Sequence, residues 1–116
     1  MNRPDVLETF QRQYGVASIE QLLALGVARS TIGRARDRGT LAEVAPGVFM
    51  TAGATLTFEA KCVAALLYLG PDSYLSGGTA AALQGCRGMP RRTIHATIRA
   101  TAHVTKPPEW LRVHRS

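Results

Sequence analysis

Four arginines fall within ten residues of this 116-residue chain, and two hydroxyl side chains, Ser30 and Thr31, follow the first of them. Guanidinium groups bind phosphates and guanine edges through paired hydrogen bonds, and hydroxyl groups bind bases or phosphates. Asp37 is the one acid in residues 29–38, which therefore carry a net charge of +3. These residue types predict contacts to a nucleic acid rather than catalysis. The four arginines are Arg29, Arg34, Arg36 and Arg38.

If this segment forms a helix, then Ser30, Arg34 and Asp37 lie on the face opposite to Ile32, because successive residues are about 100° apart. Arg34 is predicted to read a base, guanine by its bidentate geometry, and Ser30 or Thr31 to contact bases or phosphates near the helix N-terminus. Asp37 would repel phosphate unless it accepts a hydrogen bond from cytosine or pairs with an arginine. Phosphate contacts, which position a protein without specifying sequence, are predicted for Arg29, Arg36 and Arg38.

The elements that would position this segment follow from the capping residues and glycines around it. Pro4 begins a predicted first helix that Gly15 ends, and Ser18 is the predicted N-cap of a second helix over residues 19–25. The third helix covers residues 29–38 and closes at a glycine. Two short helices joined by a tight turn that contains glycine are typical of a helix-turn-helix.

Two short apolar strands, residues 41–45 and 48–50, flank a Pro-Gly turn and predict a β-hairpin. A hairpin directly after a helix-turn-helix is typical of a wing. Residues 1–52 are therefore predicted to form a winged helix-turn-helix DNA-binding domain. The tip of the wing carries no basic residue, so the backbone amide of Gly47 is its predicted phosphate contact.

The second half of the chain, residues 53–116, predicts a small α/β domain. A helix capped by Thr57 is apolar nearly all round from Cys62 onwards, which indicates burial on several sides. A short strand and a short helix follow, and then two strands at residues 93–100 and 111–114. Because the last strand begins within six residues of the C-terminus, we expect a domain cut short or the remnant of a longer protein. The predicted fold class is α+β, with a winged helix-turn-helix followed by a small, incomplete α/β domain.

The basic excess of the chain is not spread evenly. Lysines and arginines number 14 against 8 acids, twelve of the 14 are arginines, and the net charge is +6. Residues 29–38 carry +3 and residues 87–116 carry +6, whereas the other residues are net acidic. If DNA is the partner, the second block must share the phosphate contacts, and Arg91 and Arg92 are its predicted contributors. The alternative is that both blocks are solvated surface.

Composition and spacing exclude several classes of protein. With 46% hydrophobic residues the chain is not disordered throughout, and its longest apolar run, residues 62–69, is too short to span a bilayer. Two cysteines, Cys62 and Cys86, form no disulfide framework, so a reduced cytoplasmic setting without membrane attachment is expected. Their spacing from the histidines does not match a structural zinc site, and no nucleophile motif occurs. We therefore expect no catalysis, no metal and no cofactor.

Several motifs carry a family resemblance through their order and spacing. They are Gly15-Val16-Ala17-Ser18, Arg29-Ser30-Thr31-Ile32, Gly39-Thr40-Leu41, Pro46-Gly47-Val48-Phe49, Leu75-Ser76-Gly77-Gly78-Thr79 and the closing Arg112-Val113-His114-Arg115-Ser116. In this order they resemble the AbiEi-type antitoxins of bacterial type IV toxin–antitoxin systems, which act in abortive infection. The resemblance covers nearly the whole chain.

This resemblance implies a transcriptional regulator. Its winged helix would bind double-stranded operator DNA, commonly inverted repeats, and repress the toxin–antitoxin genes. The implied partner in function is a nucleotidyltransferase-like toxin. The DNA contacts that the resemblance implies are Arg29, Ser30, Thr31, Arg34 and Arg38.

The chain also departs from the family pattern. Ala28 and Gly77 stand where the family often has Ser and His, and family members generally continue well past residue 116. The same N-terminal block precedes nuclease domains related to very-short-patch repair endonucleases in many actinobacterial proteins. Two alternatives to the regulator therefore stay open. One is an accessory module of a nuclease-linked protein, and the other is an interaction module whose exposed strand edges at residues 93–100 and 111–114 bind a toxin or a second copy of the chain.

Overall fold

The computed structural model describes residues 2–116, in which five helices and two three-stranded sheets form a mixed α+β protein. The N-terminal elements are α1 (Pro4–Arg12), β1 (Val16–Ser18), α2 (Ile19–Ala24), α3 (Arg29–Arg38), β2 (Leu41–Ala45) and β3 (Val48–Thr51). The C-terminal elements are α4 (Phe58–Leu69), β4 (Tyr74–Leu75), α5 (Gly77–Leu83), β5 (Ile94–Ile98) and β6 (Leu111–Arg115). In this part of the chain no helix combines the length and the apolarity needed to cross a membrane.

The predicted helix starts are confirmed at α2 and α4. Ser18 Oγ accepts the Gln21 N–H at 3.2 Å, and Gln21 Oε1 accepts the Ser18 N–H at 3.1 Å, which completes a capping box. At α4, Thr57 Oγ1 accepts the Ala60 N–H at 3.1 Å. The end of α3 is confirmed as well, because Gly39 has a φ of 81° in the left-handed region that glycine tolerates best.

A pair of glutamines joins α1 to α2. Gln13 Nε2 donates to Gln21 Oε1 at 2.9 Å, and Gln21 Nε2 donates back to Gln13 Oε1 at 2.8 Å. Gln13 Nε2 also donates to the Val16 carbonyl at 3.0 Å. The two amides therefore connect the end of α1, the start of β1 and the first turn of α2.

The first sheet has the order β1-β3-β2, with antiparallel pairing throughout. The predicted β2–β3 hairpin is confirmed, whereas β1 was not predicted. Its three residues pair with β3 in the register Val16 with Met50 and Ser18 with Val48. Phe10, Leu22 and Ile32 of the three helices pack against this sheet in one buried cluster.

The second sheet has the order β4-β5-β6, with β5 antiparallel to β4 and parallel to β6. The expectation that residues 93–100 form an exposed edge is therefore wrong, because β5 has a neighbour on each side. The polar face of β5 is also not fully exposed to solvent. Thr97 is buried, and its Oγ1 donates to Ser76 Oγ at 2.8 Å.

Helix α4 lies between the two sheets, and its small side chains face both of them. Ala60 and Ala64 are fully buried in a cluster with the first sheet, and Cys62 and Ala65 are buried in a cluster with the second. The prediction of burial on several sides is confirmed. Because of this burial, the pKa of the Cys62 thiol is raised to about 11, which agrees with packing rather than reactivity as its role.

We expect Ala64→Leu to destabilise the protein by about 1–3 kcal/mol, because a fully buried alanine between two sheets has no space for three more carbons. Urea unfolding followed by circular dichroism measures the change as a shift in midpoint. The matched control is Ala24→Leu, which makes the same change at an exposed helical position. Equal midpoints for the two variants would contradict the packing of α4.

Candidate nucleic-acid interface

The turn between α2 and α3 fixes where α3 begins. Gly26 has a φ of 89° and donates its N–H to the Leu23 carbonyl at 2.9 Å, and Val27, which is buried, donates to the Leu22 carbonyl at 3.0 Å. Arg3, the N-cap residue of α1, supports this turn, since its Nη2 lies 2.6 Å from the Leu25 carbonyl oxygen. A cation near the carboxyl end of a helix is favourable.

The same arginine also contacts a carboxylate. Arg3 Nη2 lies 2.6 Å from Asp5 Oδ2, and this hydrogen bond holds the pKa of the Asp5 carboxyl below its usual value. Arg3 is therefore engaged in the fold and is unavailable as a free cation beside α3.

Helix α3 buries one narrow stripe and exposes the rest. Ile32 and Ala35 are buried, and Ser30, Arg34 and Asp37 are exposed, so the predicted outward face is confirmed as a solvent-facing surface. The side chains predicted to contact DNA are also exposed at Arg29, Arg36 and Arg38, whereas Thr31 is half-buried.

The cations of α3 differ in their partners. Within residues 2–116, Arg29, Arg34 and Arg38 form no ion pair. Asp37 likewise has no cation within ion-pair distance in that range. Of the two ways in which Asp37 could avoid repelling phosphate, pairing with a neighbouring arginine is therefore absent from the structure.

Glu43 on β2 occupies two of the predicted phosphate contacts. Its Oε1 lies 3.8 Å from Arg36 Nη1, and its Oε2 accepts the Gly47 N–H at 3.0 Å. The amide of Gly47 is thus not free for a phosphate, and a carboxylate lies beside the turn of the β2–β3 hairpin. A carboxylate four residues before Gly47 is visible in the sequence, but its contact with the turn is not, and the strand has a register shift between Glu43 and Ala45.

Arg91 and Arg92 form a second group, away from α3 in the chain and beside the first turns of α4. The Arg91 guanidinium lies 4.9 Å from the centre of the Phe58 ring, a cation–π contact. The Arg92 carbonyl accepts a hydrogen bond from Lys61 Nζ at 3.0 Å. Both arginines are exposed, and the structure brings Lys61 to the same surface as a third cation.

A cavity of about 540 Å³ between α1 and α3 was missed by the sequence analysis. Arg34 and Arg38 line it from α3, and Leu7 and Phe10 line it from α1. Helical spacing alone places Arg34 opposite the core, but it does not reveal that α1 lies close enough to form a second wall. The 45% exposure of Leu7 is a signal only the structure gives.

The other residues considered for chemistry lie apart from these groups. His95 Nδ1 and His114 Nε2 are 2.9 Å apart, with ring planes 18° from parallel, so the rings share a hydrogen bond. Cys62 is buried and Cys86 is exposed, and neither is in a disulfide. In the described range no three His, Cys, Asp or Glu side chains come together as metal ligands.

Residues 4–52, which run from the start of α1 to just past β3, match a known family. The family is described as transcriptional regulator, AbiEi antitoxin. The matched region therefore contains all of α3 and the first sheet, and it ends before α4. Its description names regulation of transcription and the antitoxin class rather than a catalytic activity. No protein with a curated description matches the chain.

The N-terminus of α3 lacks a capping side chain. Ala28 holds the N-cap position in extended conformation, with φ −72° and ψ 146°, and makes no side-chain hydrogen bond there. Ala28→Ser is expected to stabilise the protein by about 1 kcal/mol, because a serine oxygen accepts a free N–H of the first turn. Chemical denaturation measures this change.

Ala28→Gly is the matched control. Glycine is also favourable at an N-cap but brings no acceptor, so it separates the backbone effect from the hydrogen bond. Equal stability of the serine and glycine variants would assign the gain to the backbone rather than to the hydrogen bond, and a serine variant no more stable than the parent would contradict the prediction.

Proposed function

We propose that this chain is a DNA-binding transcriptional regulator of the AbiEi antitoxin class, and that residues 1–52 are its winged helix-turn-helix module. The element order α1-β1-α2-α3-β2-β3 and the family match over residues 4–52 support this proposal. The observation that carries it is the exposed face of α3. Arg34 and Arg38 lie there, and Arg29 is exposed at the start of the helix, and none of the three has an ion-pair partner in the described part of the chain.

Each cation of α3 has a distinct role in this proposal. Arg34, at the middle of the exposed face, donates two hydrogen bonds to guanine in the major groove. Arg29 and Arg38, at the two ends of the helix, bind phosphates on either side, and Ser30 and Thr31 donate near the N-terminal end. Arg36 contributes less to phosphate binding, since Glu43 already compensates its charge.

Residues 53–116 serve in this proposal as the start of an AbiEi-like C-terminal α/β domain that adds phosphate contacts. Arg91, Arg92 and Lys61 supply a cationic surface beside α4. Because the β2–β3 hairpin carries no basic residue, these residues supply counterion release that residues 1–52 lack on their own. The shorter module alone would then bind DNA weakly.

We infer that the DNA is an operator, of inverted repeats, in a type IV toxin–antitoxin operon. The regulator would act in the cytoplasm, where that DNA lies. A nucleotidyltransferase-like toxin would be its partner in function, encoded in the adjacent gene. Operator selectivity would come from four residues of α3: Ser30, Thr31, Arg34 and Asp37. Asp37 would contribute by accepting a hydrogen bond from cytosine.

Selection from a random duplex pool at stated salt is expected to return one preferred sequence. On that sequence and on a random duplex, Arg34→Ala and the double variant Arg91→Ala, Arg92→Ala should behave differently. Arg34→Ala removes a base contact and lowers the specific-to-random affinity ratio by about tenfold, as expected for a loss of about 1–3 kcal/mol. The double variant removes phosphate contacts, so it weakens binding to both duplexes and lowers the salt slope by about 2.

Arg12→Ala is the matched control for these variants. Arg12 is an exposed arginine on α1 that pairs with Glu8 at 3.7 Å, so its removal lowers the net charge by one, as Arg34→Ala does, without touching either cationic group. It should leave the affinity ratio unchanged. Equal losses on specific and random DNA for Arg34→Ala would remove the base-reading role, and absence of any duplex binding by the intact chain would overturn the proposed function.

The free edge of the second sheet favours a second candidate function. Strand β6 pairs with β5 on one side, and among residues 2–116 no strand pairs with its other side. Such an edge accepts a strand from a toxin or from a second copy of the chain. Light scattering without DNA is expected to show a concentration-dependent dimer if copies pair. A strict monomer across the concentration range argues against pairing between copies.

A further inference from the structure

The cavity between α1 and α3 has the size and lining of a small-molecule site. Its volume of about 540 Å³ lies within the range of about 300–1,000 Å³ that ligand pockets occupy. Leu7 and Phe10 of α1, Ala35 of α3 and Leu41 of β2 give it an apolar floor and wall. Leu7 remains 45% exposed on this wall, so an apolar occupant would remove its surface from water.

The charges that line the cavity favour a negatively charged ligand. Arg34 and Arg38 line the cavity four residues apart on one helix, and no carboxylate lines it. Two like charges at this spacing repel each other on a helix. Neither guanidinium has an ion-pair partner within residues 2–116, so a bound anion would be the first compensating charge for both.

The two requirements together define the chemical class of the ligand. Inorganic phosphate would satisfy the arginines but leave the apolar wall exposed, and a neutral apolar molecule would leave the arginines uncompensated. We propose that the α1–α3 groove binds a small organic anion with an apolar body, held by Arg34 and Arg38, and that its occupancy opposes DNA binding. The second part rests on the proposed function, because there the same two guanidiniums contact DNA.

The ligand class is tested first without DNA, using 8-anilinonaphthalene-1-sulfonate as a probe that combines an aromatic body with one anionic group. Its fluorescence should rise on binding the full chain, and backbone amide shifts should concentrate at groove residues such as Phe10, Ala35 and Thr51. The double variant Arg34→Gln, Arg38→Gln should weaken binding by about tenfold or more, because two charge-assisted hydrogen bonds are lost. Leu7→Gln should also weaken probe binding, because it removes apolar surface from the cavity wall while both arginines stay in place.

Arg29→Gln is the matched control, since Arg29 is an exposed arginine on the same helix that does not line the cavity. It should change probe affinity by less than about twofold. All four substituted positions are exposed, and unfolding midpoints close to that of the parent confirm that each variant folds. Amide shifts outside the groove, or probe affinity that the arginine double variant leaves unchanged, would overturn the site. Displacement of the probe by equimolar inorganic phosphate would overturn the apolar part of the ligand class.

The regulatory part is tested by titrating the probe into the complex with the selected duplex. Saturating probe should lower duplex affinity by about tenfold or more, while the chain with Arg34→Gln and Arg38→Gln, measured on random duplex at low salt, should not respond. Groove binding without any effect on duplex affinity would refute competition. If the chain binds no duplex at all, the proposed function fails, whereas the fluorescence and amide-shift results still decide the groove.

Discussion

The close approach of α4 to both sheets is the constraint on which the rest of the structure depends. The helix has alanines where it meets the first sheet, and a cysteine and an alanine where it meets the second, so its backbone lies near both. On the face that meets α4, each three-stranded sheet is covered by this one helix. Tyr68 and Trp110 extend the contact, because each packs against both clusters. The position of the cationic surface at Arg91 and Arg92 relative to α3 is therefore fixed through α4.

The charges of the N-terminal module divide between holding the fold and leaving cations free. Arg3 and Arg36 are engaged with Asp5 and Glu43. The remaining arginines of α3 keep their charge uncompensated, which costs stability on the helix and leaves them available to an anion. DNA and a small organic anion would compete for Arg34 and Arg38, because the exposed face and the groove share these two residues. If both proposals hold, one helix would serve both DNA binding and the response to a ligand.

The helices were predictable because their signals are local. The errors concern the strands, because strand pairing depends on residues far apart in the chain. The Ser18 and Thr57 caps and the left-handed Gly39 act within a few residues, so the sequence reveals the helix ends. Strand β1 has only three residues, and it exists because β3, 30 residues later, pairs with it. The central position of β5 likewise depends on its pairing with β4 and β6. The alternation of residues within β5 does not reveal those neighbours. The exposed face of α3 was predictable from helical spacing, but the use of Gly47 by Glu43 and the second wall of the groove were not, since both arise from tertiary contacts.

The reciprocal pair of Gln13 and Gln21 has a consequence for which amino acids the chain tolerates there. A capping box accepts glutamate or glutamine equally at its third helical position. Here the side chain at position 21 must also donate to Gln13, and a carboxylate has no proton to donate. Deamidation of either residue would set two oxygens against each other across the junction of α1 and α2. The requirement for an amide at position 21 is thus imposed by Gln13 at the end of the preceding helix, and not by the capping box.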